Sequence, residues 1–177
     1  MTSTSSTAHR VEIPTAGRYR LDPDRSSVAF RTRHMFGLAG VTGTMRVADG
    51  EIAIDPATQK ASVAVTVNTS SFDTGNDKRD GDVRSAKFLH VAEYPEFTFR
   101  AAQVNQDLGG WTMAGELTVR GVSKPVTLSI ESVEADGQGF RARATTRIDR
   151  YAFGVTAAKG MAARFIDVDL TAVAQPV

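Results

Sequence analysis

Apolar and polar residues alternate with a period of two along most of this chain. Val28, Phe30, Thr32 and His34 fall on one face of a stretch whose other face carries Ala29, Arg31 and Arg33. Val41, Gly43, Met45 and Val47 alternate with Thr42, Thr44 and Arg46, and Glu51 to Ile54 forms a further short run that Asp55-Pro56 ends. Val63, Val65 and Val67 alternate with Ala64, Thr66 and Asn68, and Phe97 and Phe99 with Glu96, Thr98 and Arg100. Trp111, Met113, Gly115, Leu117 and Val119 oppose Thr112, Ala114, Glu116, Thr118 and Arg120. Val126, Leu128 and Ile130 oppose Thr127, Ser129 and Glu131, while Phe140, Ala142, Ala144, Thr146 and Ile148 oppose Arg141, Arg143, Thr145 and Arg147. The last run sets Ile166, Val168 and Leu170 against Asp167, Asp169 and Thr171.

This pattern predicts strands with one apolar and one solvated face. Strands of a parallel sheet are buried on both faces and read as continuous apolar runs, so the sheet is expected to be antiparallel. Turn chemistry is expected at Asp49-Gly50, Gly109-Gly110, Ser123-Lys124-Pro125 and Asp136-Gly137. A short helix is predicted from about Asn76 to Ser85, capped by Asn76 or Asp77 and weakened by Gly81. The fold class is therefore all-β, and about eight such strands bury their apolar faces in a closed barrel or a two-sheet sandwich. Many inward positions are small or medium (Val28, Val63, Val65, Val67, Gly115, Ala142, Ala144), which favours a cavity over a filled centre.

The 177 residues suit one domain. The Ser/Thr-rich stretch over residues 1–16 is expected to be a disordered tail, and the barrel to occupy 17–177. A formal net charge of +1 gives no electrostatic case for nucleic acid or an anionic membrane, and there are no cysteines for disulfides, thiolate metal sites or a thiol nucleophile. No apolar run reaches the roughly 18 residues of a membrane span, and the first residues lack the basic and apolar regions of a signal peptide, so a cytoplasmic location and at most transient membrane contact are expected.

Catalytic chemistry finds little support. His9, His34 and His90 are widely spaced, and no metal-binding, phosphate-loop or nucleophile-elbow pattern occurs. Asp73-Thr74-Gly75 resembles the loop of an aspartic protease, but that chemistry needs two carboxylates sharing a proton; without a second such loop only a dimer could supply them. The following Asn-Asp-Lys-Arg-Asp run reads instead as a solvated helix start.

The motifs taken in order resemble a known family. They are Ser27-Val28-Ala29-Phe30 leading to His34, Val41-Thr42-Gly43, Ser71-Phe72-Asp73-Thr74 with Asn76 and Arg79-Asp80, and Ser85-Ala86-Lys87-Phe88-Leu89. The series continues with Tyr94-Pro95-Glu96-Phe97-Thr98-Phe99, Gly115-Glu116-Leu117-Thr118-Val119, Gly121-Val122-Ser123-Lys124-Pro125-Val126 and Arg150-Tyr151-Ala152-Phe153-Gly154. From about Tyr19 to Ala174 the chain resembles the YceI-like polyisoprenoid-binding proteins. That resemblance implies a single antiparallel eight-stranded lipocalin-like barrel with one short helix and an apolar tunnel for a long isoprenoid lipid or quinone. It also implies homodimers among relatives, no catalytic residue and no cofactor beyond the bound lipid.

A prenyl chain offers almost no hydrogen bonds, so its site must be built from apolar side chains. The expected lining is Phe30, Val65, Val67, Phe97, Phe99, Trp111, Met113, Leu117, Leu128 and Ile166. His34 continues the inward face of its strand to the mouth, as a structural histidine or as a hydrogen-bond partner for a polar head group. Phe36 belongs to residues 35–40, which form either an ordinary hairpin loop against the core or a flap that admits ligand or touches a membrane surface. Arg79 and Asp80 either anchor a head group or, as is expected, pair locally and hold the helix. Carriage of a fatty acid or fatty amide, and a filled barrel acting through protein contacts, are the competing non-enzymatic readings.

Overall fold

The alternating stretches become staves of a barrel in the computed structural model, which describes residues 10–177. The elements are β1 (Gly17–Leu21), β2 (Ser27–His34), β3 (Ala39–Ile54), β4 (Ala61–Asp73), α1 (Asp77–Arg84), β5 (Glu96–Asp107), β6 (Gly110–Val119), β7 (Val122–Asp136), β8 (Gly139–Asp149) and β9 (Phe165–Pro176). All strand pairs are antiparallel, in the order β3-β2-β9-β8-β7-β6-β5-β4, and β4 returns to β3 to close the ring. Closure leaves no open sheet edge along the ring.

Nine strand segments make eight staves because β1 and β2 share one. Both pair with β3 and with β9: β1 through Gly17–Arg20 and Tyr19–Leu21, β2 through Ser27–His34 and Ser27–Arg31. The break between them is held to β9 by the Asp22 amide donating to the Val173 carbonyl (2.8 Å) and the Val173 amide donating to Ser26 Oγ (3.0 Å).

The Asp49-Gly50 pair is not a turn, contrary to the expectation from its chemistry. Strand β3 runs through it, with a bulge between Val47 and Asp49. The extra residue shifts the alternation by one, so that Val47, Gly50, Ile52 and Ile54 all face inward. Gly50 is required by packing, since a β-carbon there would lie 2.5 Å from Leu21 Cδ1. Similar bulges between Ala101 and Gln103 in β5 and between Ile130 and Ser132 in β7 bring Val104 and Val133 inward. Ser123-Lys124-Pro125 likewise lies within β7; the β6–β7 turn is Arg120-Gly121, with φ of 50° and 73°. Two central residues with positive φ match the twist of the flanking strands.

The helix forms where expected. Asn76 caps it, its Oδ1 accepting from the Arg79 amide (3.0 Å). The proposed tail is corrected in part: residues 1–9 lie outside the described residues, but Arg10–Glu12 are structured. Strand β7 overhangs β6, whose pairing with it ends at Ile130, and Val133 takes residues 10–12 as a partner instead. The Val133 amide donates to the Arg10 carbonyl (2.9 Å) and the Glu12 amide to the Val133 carbonyl (2.8 Å), while Val11 packs into the core.

Apolar residues cluster at both barrel ends. Tyr19, Leu21, Ile52, Ile54, Val133 and Phe140 pack together at the end near the 55–60 turn. Phe30, Phe72 and Leu89 form one cluster at the helix end, and Val119, Phe153 and Val155 another.

Candidate functional site

Between these clusters the interior is open. A cavity of about 1220 Å³ runs the length of the barrel, from Thr58, Gln59 and Lys60 at one end to Arg79, Asp82 and Val83 of α1 at the other. It is larger than the roughly 300–1,000 Å³ typical of sites for drug-sized molecules. Its wall is the inward face of all eight staves, and the small residues Val63, Val65, Ala142 and Ala144 leave the centre unfilled.

Phe30, His34, Val65, Val67, Phe97, Phe99, Trp111, Met113, Leu117, Leu128 and Ile166 all line this cavity. Phe30 is buried, stacked on Phe72 with centroids 5.0 Å apart, and its ring covers Gly43 on the neighbouring strand. Phe99 covers Gly115 in the same way: a β-carbon on Gly115 would stand 2.5 Å from Phe99 Cζ. The other predicted lining residues are half-buried, as expected for side chains that face an internal void rather than one another.

Phe36 is the exception. It does not line the cavity but projects from the β2–β3 hairpin at 76% exposure, its ring lying over Gly160. The hairpin is too short to fold back across the mouth: residues 35–38 join strands paired as far as His34 and Ala39.

Polar groups gather at the two ends. At the helix end the cavity meets Thr32, Arg33, His34, Arg79, Asp82 and Arg150. Arg79 does not pair with Asp80 as expected; its Nε donates to Thr74 Oγ1 (2.8 Å). Asp80 is buried and accepts from the Thr74 amide (3.0 and 3.1 Å) and from the Thr74 hydroxyl. Burial acts to raise its pKa, but the bonds from Thr74, with Arg84 and Arg79 nearby, outweigh it and hold the carboxyl below its ordinary value. Asp73 is exposed and its carboxylate accepts from the Gly75 amide (2.8 Å), so the Asp-Thr-Gly sequence is the local turn that leads into α1.

Sequence reasoning missed the connection between β8 and β9. Arg150 is buried there at 6% exposure and donates from Nε, Nη1 and Nη2 to the carbonyls of Ala163, Val155 and Ala162 (2.8, 2.7 and 2.9 Å). Burial lowers its pKa, and the rings of Tyr151 and Phe88 lie 4.8 and 5.9 Å from the guanidinium. The connection so fixed contributes Val155, Ala158, Met161, Ala162 and Ala163 to the cavity. Its signal in sequence is only a run of small apolar residues without period. Val11, Ile13 and Pro14 at the other end were also missed, although Val11 and Ile13 already alternate with Glu12.

An eight-stranded antiparallel barrel enclosing a long apolar cavity defines a lipocalin-like architecture. The chain belongs to the family of the YceI-like domain, whose model matches residues 19–174. Among its relatives, Protein YceI of Escherichia coli O17:K52:H18 is 40% identical over 129 residues, and a UPF0312 protein of Enterobacter sp. strain 638 has the same identity over the same length. Each match covers 70% of this chain and 64% of the relative, so the chain aligns with slightly less than two thirds of these proteins. A UPF0312 protein of Yersinia enterocolitica is 32% identical over 166 residues, covering 88% of this chain and 85% of that one. Among solved structures, BcnA of Burkholderia cenocepacia superposes with a TM-score of 0.76 at 22% identity, covering 88% of this chain and 99% of that one. A polyisoprenoid binding domain from Saccharophagus degradans, implicated in plant cell wall breakdown, gives 0.62 at 16% identity, covering 90% and 98%. These two likenesses carry the fold.

Proposed function

We propose that this protein binds a long isoprenoid lipid or isoprenoid quinone in its barrel and carries or stores it without chemical change. The observation that supports this most is the cavity itself: long, lined mostly by apolar side chains, and with Arg33, His34, Arg79 and Arg150 at its helix end. A ten-residue stave such as β6, rising about 3.4 Å per residue and tilted by about 40°, spans roughly 25 Å. That shape suits an extended chain better than a compact ligand. Each buried methylene-sized group contributes about 0.8 kcal/mol, so one five-carbon unit gives roughly 3–4 kcal/mol before ordering costs. No charge is needed in the middle of the cavity. Methyl-branched tails fit a wall that mixes Phe and Met with Val and Ala, and the polar helix end, with His34 and Arg79, suits a head group. The domain named as polyisoprenoid binding from Saccharophagus degradans shares this fold.

Native mass spectrometry of the purified chain, followed by organic extraction, tests the reading and reports stoichiometry, including any homodimer. A co-purifying prenyl lipid, or a one-to-one adduct with added geranylgeraniol, is expected. Leu117→Asp, which sets a carboxylate in the wall beside Phe99, should abolish the adduct while the folded spectrum is retained. A fatty acid or fatty amide in the extract would keep the carrier and change its cargo. A bare, folded wild-type chain that refuses geranylgeraniol would refute it.

A further inference from the structure

The helix end of the barrel carries an apolar projection, of which Met161 alone also lines the cavity. Met35, Phe36 and Leu38 at the β2–β3 tip are 48%, 76% and 85% exposed, and Met161 of the β8–β9 connection is 48% exposed. These residues form one body. The Met35 amide donates to the Met161 carbonyl (2.7 Å), the Phe36 amide to the Gly160 carbonyl (2.9 Å), and His34 bridges to Ala162. A fixed, exposed cluster of four large apolar side chains is the kind of surface that marks an interaction site.

The two segments that carry the projection supply cations and no carboxylates. Residues 31–41 and 150–165 contain no Asp or Glu, but they hold Arg31, Arg33, Arg150, Lys159 and Arg164. Arg31 and Arg164 pair with Asp169 and Asp149. Arg33 donates only to the Gly37 carbonyl (3.2 Å), and Lys159 lies over the Tyr151 ring (5.4 Å); among the described residues neither has a carboxylate partner. The projection is also continuous with the interior, because Met161 and Arg33 line the cavity as well.

The geometry points to this tip as a docking surface for an anionic bilayer, with Phe36 and Leu38 entering the acyl boundary and Arg33 and Lys159 at the headgroups. Apolar side chains flanked by cations are the arrangement that binds such interfaces. A protein groove would accept the apolar residues but would not require the unpaired cations. Docked in this way, the barrel opens at the membrane surface beside Met161, and an apolar tail passes between bilayer and cavity without crossing water. This inference rests on the lipid-carrier reading, and the two fail separately in the following experiment.

The full chain is floated with vesicles of phosphatidylglycerol and phosphatidylethanolamine and, separately, of phosphatidylcholine. Wild type is expected to float with the anionic vesicles, and less so as salt screens the cations. The double variant Phe36→Asp/Leu38→Asp should lose at least about tenfold in apparent affinity, since two apolar anchors become charged. Leu108→Asp, at the fully exposed β5–β6 turn on the opposite end of the barrel, should float like wild type. Both variants should keep the wild-type circular dichroism spectrum and take up geranylgeraniol from solution as wild type does. Wild type that ignores anionic vesicles, or equal losses in the tip and Leu108 variants, would overturn the docking surface. So would a tip needed only to hold a protein partner. Wild type that floats through its tip yet takes up no geranylgeraniol would support the surface and remove the carrier.

Discussion

The residues that shape this protein's interior are as often small as large. Gly43 and Gly115 matter because Phe30 and Phe99 lie across them, each ring occupying the space that a β-carbon would need. The aromatic ring covers backbone that a glycine leaves bare, and it fixes its own rotamer in doing so. That makes the cavity wall firm where it has no opposing side chain to lean on. Asp80 shows the opposite device, a buried carboxylate kept charged by its hydrogen bonds. A carboxyl group whose folded pKa is depressed contributes stability above its unfolded value of about 3.9 and loses it as pH falls through the lower folded value. Asp80→Asn should therefore cost about 1–3 kcal/mol at neutral pH, through the lost charge-assisted bonds from Thr74. The gap between variant and wild type should narrow below about pH 4. Urea unfolding of both proteins at pH 7 and pH 3 measures this, and a gap independent of pH would contradict the assignment.

Elements are set by two kinds of signal that carry different information. Alternation located the strands well, because one-sided burial imposes it on every stave. Turn chemistry was a poorer guide. Asp49-Gly50 reads as a hairpin, yet it lies inside β3, where Gly50 makes room for Leu21. Arg120-Gly121 forms the actual turn between β6 and β7, although arginine is an unusual occupant of a positive-φ position. The β8–β9 connection has no period at all, and its order depends on Arg150 holding three carbonyls at once. Arg150→Lys keeps the charge but has no planar fork to reach all three. It should cost about 2–4 kcal/mol, and the melting temperature should fall by roughly 2–4 °C for each of these. A thermal melt checks the value, and proteolysis within residues 155–163 should accelerate in parallel.

At the scale of the whole molecule, the barrel leaves its centre unfilled. Apolar clusters gather at the two ends of the ring and line the cavity there, and the middle is left unfilled. A ligand that occupies that void binds the folded state alone and raises stability by mass action, about 2.7 kcal/mol at a free concentration one hundred times Kd. Saturating geranylgeraniol should accordingly raise the melting temperature of wild type by roughly 5–10 °C and leave Leu117→Asp unmoved. An equal shift in both would show that the lipid acts elsewhere on the surface. No helix among the described residues is long and apolar enough to cross a membrane.

Read alone, the sequence determined what depends on neighbours along the chain. The two-residue period gave most of the strands, β1 excepted, and the inward faces that line the cavity, because a stave that is wet on one side must alternate. Asn76 gave the helix start for an equally local reason, a side chain that reaches an amide three residues on. Only the tertiary structure decided what depends on distant partners. Ring closure set which strands meet, and the interior volume follows from how far apart the walls then stand. The bulges that realign β3, β5 and β7 answer to the strands beside them. The seat of residues 10–12 exists because β7 outruns β6, and Phe36 faces outward because the hairpin that carries it is tied to Gly160 and Met161, more than a hundred residues away.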